Sequence, residues 1–537
     1  MTFKIMKLFL PILCFAMATP LSAQGFSSLQ QRKLSSVMSA ISDLYVDTIN
    51  TNQLTDAAIV GILKELDPHS SYIPKEEAER VNEPLEGSFE GIGIQFQMFE
   101  DTLLVVQTIS GCPAEKVGVL PGDRIIYVGD ELIAGVKKQN SDIVKLLRGP
   151  KGSEVTVKIR RGGEKNLLLF KIIRDKIPLY SVDTHYMIDD EIGYIKITNF
   201  GANTIDEYKK AMTKLQEKGM KHLILGLQGN GGGYLPTAID LADEFLSRDK
   251  MIVYTEGRSD IKRTSFATSR GGFETDKLII LVDEYSASAS EIVSGAVQDW
   301  DRGIIVGRRT FGKGLVQRQL PLIDGSQLRL TVSRYYTPTG RSIQKPYKGV
   351  DYEKDLLERY SHGEMQSADS VQFPDSLKYQ TLRLKRTVYG GGGIMPDVFV
   401  PVDTTSYTRY HRTLVNRGII NKTYIQYLDK NRKALEKKYP TFEKFKNEYE
   451  ISDELLAQLK EKAEAEKISF DEKQHEASLS LLKLQLKALI AGDLWSTNEF
   501  SQIIDEQNDL LKKAISILQT EGEYEKILQT DNFVINH

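Results

Sequence analysis

The spacing of apolar residues changes character along the chain, and each change marks an architectural boundary. Between residues 24 and 85, Leu34, Val37, Ile41 and Leu44 recur every three or four positions, the period of an amphipathic helix. A second helix is predicted over 54–66. It ends at Asp67-Pro68-His69-Ser70-Ser71-Tyr72, where the proline breaks helical geometry. Over 86–178 the period falls to two: Ile92, Ile94 and Phe96 alternate with other residues, as do Val155, Val157 and Ile159. Pro121-Gly122-Asp123, Val128-Gly129-Asp130 and Gly149-Pro150-Lys151-Gly152 supply turns, so a small β-rich module is predicted.

From 179 the rhythm becomes strand, helix, strand. Strands are predicted at 192–197, 222–227, Leu278–Val282 and 304–306, with helices at 204–218, 235–246 and from Ser286 to about Trp300. Such alternation builds a largely parallel sheet covered by helices. A polar stretch over 345–385 has the mixed charge of a surface excursion, before core-like strands return near Val398. From 403 onwards the pattern is helical and rich in Lys and Glu. Its stripe of Leu479, Leu482, Leu486 and Leu489 is expected to face a core.

At about 150 residues per domain, 537 residues imply several domains. Lys and Arg (70) nearly balance Asp and Glu (73), which argues against a protein built to coat nucleic acid. Two cysteines cannot make a zinc cluster or a disulfide framework. Lys4 and Lys7 precede an apolar run over 8–17, and Leu21-Ser22-Ala23 offers small residues at a cleavage point. This predicts a signal peptide over 1–23, with a retained anchor as the alternative; the run is too short to span a bilayer comfortably. Cys14 follows Leu13 rather than a small residue, which disfavours lipidation, and the processed chain keeps Cys112.

Candidate chemistry sits at the carboxyl ends of the predicted parallel strands. Ser286-Ala287-Ser288-Ala289-Ser290-Glu291 follows a buried strand and opens a helix. Capping by serine, with Glu291 favouring the helix dipole, accounts for it without chemistry. A nucleophilic serine whose oxyanion sits near helix amides accounts for it too. Such a serine needs a base. Of seven histidines, His185 and His222 lie in the α/β part, and His222 starts a strand at the end away from the serine turn. A Ser-His-Asp triad is therefore poorly supported.

The return of a right-handed strand–helix–strand unit instead brings Arg308-Arg309-Thr310-Phe311-Gly312-Lys313-Gly314 beside the serines. A solvated loop lysine is the bland reading of Lys313. It acts as a base only when neutral, which burial favours; Phe311, Leu315 and Val316 are candidate walls. Gln317, four positions on along an extended segment, shares its face and can orient the amine without restoring its charge. Gly229-Asn230-Gly231-Gly232-Gly233 ends another strand and either turns the chain or offers an exposed N–H. It lacks the lysine and hydroxyl residue that a phosphate loop places after its glycines.

Together these segments resemble the carboxyl-terminal processing (tail-specific) serine proteases over 67–401. The markers are Asp67-Pro68-His69-Ser70, Phe89-Glu90-Gly91-Ile92-Gly93-Ile94, Pro121-Gly122-Asp123, Leu147-Arg148-Gly149-Pro150, the serine turn, Thr310-Phe311-Gly312-Lys313-Gly314 and Tyr336-Thr337-Pro338-Thr339-Gly340. The resemblance implies Ser288 as nucleophile, Lys313 as base and Gln317 as helper. It implies an oxyanion hole from the amides of Ala289 and of Gly232 or Gly233. It makes the β-rich module a PDZ domain, with Gly91-Ile92-Gly93-Ile94 as a carboxylate-binding loop; successive N–H groups there can form an anion nest. One departure stands out: the family commonly has Asp-Leu-Arg before the glycine turn, and this chain has Gly226-Leu227-Gln228. Loss of both charges is expected to weaken the bracing of that turn.

The expected architecture is multidomain α/β. It has a signal peptide (1–23), an N-terminal helical region (24–85), an inserted β-rich PDZ domain (86–178), a crotonase-like α/β protease core (179–402) and a C-terminal helical domain (403–537). The expected activity is that of an exported serine endopeptidase of the periplasm or cell envelope. It would act on protein or peptide substrates with free C-termini, without metal, organic cofactor or nucleic acid. A cell-envelope adaptor and a homo-oligomer are left open. The rival readings are a PDZ scaffold or adaptor on a weakened protease fold, and an acyl-thioester enzyme on the same fold.

Overall fold

The computed structural model describes residues 26–162, 164–352, 354–530 and 534–535, so the predicted signal segment lies outside the described residues. The chain divides into two compact units, Met1–Glu65 and Leu66–His537. The first holds two helices, Ser28–Leu44 and Thr51–Lys64, capped by the side chains of Ser27 and Asn50. The second helix starts three residues before the apolar pattern because Asn50 accepts the first-turn amide of Gln53.

Residues 66–85 depart from the helical expectation. Ser71–Ile73 is a strand that pairs antiparallel with 327–329, and the helix Lys75–Glu86 follows. The strand forms because Asp67 folds its own turn. Its Oδ1 accepts from the amides of His69 (2.8 Å) and Ser70 (2.9 Å), and its Oδ2 from the Ser70 hydroxyl (2.7 Å).

The β-rich module is a six-stranded sheet in the order Ile94–Phe99, Thr102–Thr108, Arg124–Val128, Glu154–Arg160, Leu168–Ile173, with Glu131–Leu132 paired to Arg124–Val128. Leu103, Val105, Ile125, Val157 and Ile159 fill its core with Ile143 of the helix Asn140–Leu147. The alternation predicted through Ile92 and Ile94 is interrupted: one strand ends at Gly91, and the next begins at Ile94.

The larger sheet has seven strands in the order Thr184–Met187, Ile192–Lys196, His222–Gly226, Leu278–Val282, Ile304–Gly307, Val398–Phe399, Val534–Ile535. From Ile192 onward every pairing is parallel. Helices Thr204–Glu217, Leu235–Asp243 and Ala289–Asp299 cover one face through Leu215, Leu241, Ile292 and Val293. The other face is covered by Leu511, Ala514, Ile517 and Ile527, from helices near the end of the chain.

The region from 403 is therefore more than a separate helical domain. Its helices from Arg409 to Ile504 share a core that includes the fully buried Leu482 and Leu486, together with Phe99 and Leu104 of the β-rich module. Its last segments complete the α/β sheet. The stretch 345–385 is largely exposed, as its polarity predicts, but Lys345, Arg359, Met365 and Thr381 are buried within it. Burial of the charges is tolerable because Lys345 pairs with Asp355 (2.6 Å), and Arg359 with Glu364 (2.8 Å).

Candidate active site

The strand Leu278–Val282 delivers the serine turn to its carboxyl end, and the helix starts at Ala289 with Ser288 as its N-cap residue, not at Ser286. The three serines do different things. Ser286 and Ser290 are fully buried, and their hydroxyls donate to the carbonyls of Leu227 (2.8 Å) and Asn230 (2.9 Å). They fasten the serine turn to the glycine turn. Ser288 alone of the three lines a cavity of about 410 Å³, with Ala289, Gly232, Gly233, Lys313 and Gln317.

Ser288 has φ 55° and ψ −109°, a conformation that costs a side-chain-bearing residue about 1–3 kcal/mol and persists only where neighbours over-determine it. Those neighbours are identifiable. Glu291, fully buried, accepts from the amides of Ser288 (2.8 Å), Gly312 (2.7 Å) and Lys313 (2.9 Å) and from the Thr310 hydroxyl. Burial pushes its carboxyl up, against the four donors that hold it down. The Tyr335 hydroxyl lies between the carbonyls of Ser288 (3.1 Å) and Lys313 (2.7 Å). At about 1 kcal/mol net per bond, more for those to a carboxylate, these contacts offset the strain.

The strand Ile304–Gly307 pairs parallel with Leu278–Val282, so the lysine loop returns to the serine turn. Gly312 has φ +86° and Gly314 packs on Gln344, where a Cβ would sit 2.9 Å from the Gln344 nitrogen; the flanking glycines serve backbone packing. Lys313 Nζ donates to Gln317 Oε1 at 3.1 Å, and Gln317 Nε2 donates to the His69 carbonyl. The second bond fixes which end of the amide meets the lysine. No hydrogen bond joins Ser288 to the Lys313 amine among the described residues; their meeting point is the cavity they share. Burial, then Arg329, push the Lys313 amine below its ordinary pKa, while Glu291 and Asp67 act the other way. Leu315 and Val316 line the cavity as expected. Phe311 does not: it faces Tyr352 and the Lys345 ammonium, which stands 3.8 Å from its ring.

At the glycine turn, the Gly232 N–H donates to Asn230 Oδ1 (2.9 Å), whereas the N–H groups of Gly233 and Ala289 meet no acceptor among the described residues. Gly232 must be glycine: a Cβ there would lie 2.8 Å from the Ser288 Cβ. The missing Asp and Arg at Gly226 and Gln228 leave the turn braced by other groups. Asp283 accepts the Gly229 amide on both oxygens (3.0 Å), and Asn230 Nδ2 donates to the Ile197 carbonyl (2.9 Å). The Tyr194 hydroxyl occupies the space a side chain at 226 would need.

The loop Gly91-Ile92-Gly93-Ile94 borders a second cavity, of about 340 Å³, with Phe89, Phe96, Val144, Leu147 and Arg148. The amides of Ile92 and Gly93 meet no acceptor among the described residues. Gly93 has φ +80° and leaves no room for a Cβ against Cys112. Arg148 pairs with Glu83 (2.6 Å) and stands 4.5 Å from the Phe89 ring.

Sequence reasoning missed the bracing roles of Glu291, Tyr335, Asp283 and the His69 carbonyl. The helix-dipole reading of Glu291 does not include its contact to the Ser288 amide; its three-residue spacing from Ser288, that of a capping box, was the signal that could have found it. Nothing local announced the others.

Comparison with known proteins fits this geometry. The model of peptidase family S41 matches residues 191–354, a PDZ domain model matches 91–172, and a family of unknown function, DUF8443, matches 410–496. The chain is 35% identical to the carboxy-terminal processing protease CtpB of Bacillus subtilis over 62% of its own length and 70% of that protein. It is 36% identical to a carboxy-terminal-processing protease of Bartonella bacilliformis, over 61% of its length and 75% of that protein. A solved photosystem II D1 C-terminal processing protease is 28% identical and spans 62% of this chain and 96% of that one, at a TM-score of 0.34. The chain belongs to peptidase family S41 and carries a PDZ domain.

Proposed function

We propose that this protein is an exported serine endopeptidase of the cell envelope that binds the free C-terminal tail of protein substrates in its PDZ groove and cleaves them with a Ser288–Lys313 dyad. The observation that carries the reading is Ser288 itself, a serine held in a strained conformation at the mouth of a cavity it shares with a half-buried lysine. Strained strand-to-helix turns are a recurrent way to expose a nucleophile.

In this mechanism the neutral Lys313 amine takes the Ser288 hydroxyl proton as Oγ attacks the scissile carbonyl carbon. The oxyanion is met by the Ala289 amide and a Gly232 or Gly233 amide, of which Gly233 has its N–H unspent. As the intermediate collapses, the lysine ammonium protonates the leaving amine, giving an acyl-enzyme on Ser288. Lys313 then takes a proton from the water that attacks the ester carbonyl and returns it to Ser288 Oγ as the acyl C–O bond breaks, which restores the hydroxyl and the neutral amine and releases the acyl product as an acid that ionises to its carboxylate. Gln317 keeps the amine aimed without adding a countercharge.

The reading assigns a crotonase-like core to 179–402, a PDZ domain to 86–178, and an export signal to 1–23. Export is supported by the charged and apolar pattern of 1–23; no helix among the described residues is long and apolar enough to cross a membrane. The scaffold alternative drew on a weakened glycine turn, and the bracing by Asp283, Ser286 and Ser290 favours catalysis instead. The test incubates the processed protein and its Ser288→Ala variant with an unfolded substrate. The wild type releases fragments and the variant, folded by circular dichroism, does not; equal fragment release by both refutes the dyad.

A further inference from the structure

Among the described residues, the cavity at Ser288 is lined by two charged residues, Lys313 and Arg329, and by no carboxylate. Arg329 lies on the strand Gln327–Tyr336, directly across from Gln319 of the neighbouring strand Leu315–Pro321, two positions from the pair Thr331 and Gln317. Side chains alternate along strands, so Arg329, Thr331, Gln317 and Gln319 share one face.

The surrounding polar groups are already engaged with one another. Gln319 Nε2 donates to Asn82 Oδ1 (2.7 Å) and Gln327 Oε1 (3.1 Å). Gln317 is held between the His69 carbonyl and Lys313. Asp67 takes the Thr331 hydroxyl (3.0 Å) besides its own turn. Arg329 is half-buried, yet its guanidinium has no ion pair or hydrogen bond among the described residues. Arg148, Arg308, Arg309 and Arg386 each have a carboxylate within 2.8 Å.

A guanidinium offers five N–H donors in a rigid fork that matches a carboxylate. With Lys313 neutral, as the base role requires, Arg329 is the one charge among the described residues that line this cavity of about 410 Å³. The missing partner is therefore an anion brought by the substrate. The substrate's terminal carboxylate is engaged at Gly91–Ile94 in the proposed reading, which leaves a side chain.

We propose that Arg329 is a specificity residue that binds an Asp or Glu side chain of the substrate within three residues of the scissile bond. This rests on the catalytic reading of the cavity, and its test is chosen to fail separately from that reading.

Internally quenched peptides with one apolar C-terminal tail carry Glu, Gln or Lys at each of three positions on either side of the scissile bond. At one position the wild type is expected to favour Glu over Gln by about tenfold in kcat/KM, expressed in KM, as for one charge-assisted pair. Arg329→Gln should remove the preference, Arg329→Lys should keep part of it, and Arg329→Glu should turn it towards the Lys peptide. The same order should appear in fluorescence anisotropy titrations of the peptides into the Ser288→Ala variant, where no cleavage is needed. Equal handling of Glu and Gln at every position by the wild type, or a Glu preference undiminished in Arg329→Gln, overturns the proposal. Cleavage by Ser288→Ala would refute the dyad while leaving the Glu-to-Gln ratio readable.

Discussion

The cavity at Ser288 and the groove at Gly91–Ile94 are both shaped by glycine-bearing loops, but they are held by opposite means. Around Ser288 the loops are tied by buried polar groups: Glu291 to Ser288, Gly312 and Lys313, Tyr335 between two carbonyls, and Asp283 to the glycine turn. Around the groove the walls are Phe89, Phe96, Val144 and Leu147, and the amides of Ile92 and Gly93 meet no acceptor among the described residues. Chemistry needs atoms fixed against strain, and a network of short bonds fixes them. Recognition of varied tails needs open donors and apolar walls that can adjust. Substitutions in the buried network that ties the first region should therefore lower turnover, and changes at the second should alter affinity.

The largest effect is expected at the lysine. Lys313→Arg should lower kcat nearly as far as Lys313→Ala, by about 10²–10⁴-fold, because arginine keeps the charge but does not give up its proton. Strong hydrolysis by the arginine variant would make the lysine merely electrostatic. Next comes the buried brace. Glu291→Ala leaves four donors without their acceptor and frees both loops, and a displacement of about 1 Å at the reacting atoms costs on the order of 10²-fold in kcat. The matching measurement is kcat together with the melting temperature, both of which should fall; unchanged kcat would mean the network is ornamental to the chemistry.

This network also marks where the sequence stopped being informative. The return of the lysine loop was legible because a parallel strand–helix–strand unit has one favoured hand, and Gln317 was legible because it is four residues from Lys313. The His69 carbonyl, 248 positions from Gln317, was not: no local pattern encodes a contact made through the strand Ser71–Ile73. Two of the three expected walls of Lys313 line its cavity; the third, Phe311, is drawn away by Lys345 and Tyr352, from a stretch whose charges read as surface. The two charges buried there, Lys345 and Arg359, each have a carboxylate partner, and such pairings leave no periodic signal. The end of the chain misled for a related reason: its apolar stripes announce burial without saying which sheet or domain they cover.

In the groove the expected effect is smaller. Amidation of a substrate's C-terminus removes the charge that strengthens bonds from Ile92 and Gly93, and should raise KM by about tenfold with little change in kcat. Matched carboxylate and amide peptides give the comparison, and equal KM values would reduce the module to a spacer.

The smallest effect is a shift in pH dependence. Lys313 is lowered by burial and by Arg329, and is raised by Glu291 and Asp67, with neutral His69 beside it, its imidazole pushed down to about 4 by burial and then by Lys313. Activity requires the neutral amine, so kcat/KM should rise with pH and level off below the ordinary lysine range. Arg329→Gln removes a cation, raises the amine's pKa and should move this limb to higher pH; Asp67→Asn removes an anion and should move it lower. The pH profile of kcat/KM for the three proteins reads both signs, and a limb that stays in place in both variants would disconnect it from Lys313.

The most direct measurement is the acyl-enzyme itself. An unfolded substrate is mixed with the enzyme, the reaction is quenched in acid within one turnover, and the protein is digested and mapped by mass spectrometry. An adduct with the mass of the substrate's amino-terminal fragment is expected on the peptide containing Ser288, and none in Ser288→Ala or Lys313→Arg. An adduct mapped to Ser286, Ser290 or another residue, or turnover by Ser288→Ala at the wild-type rate, would contradict Ser288 as the nucleophile.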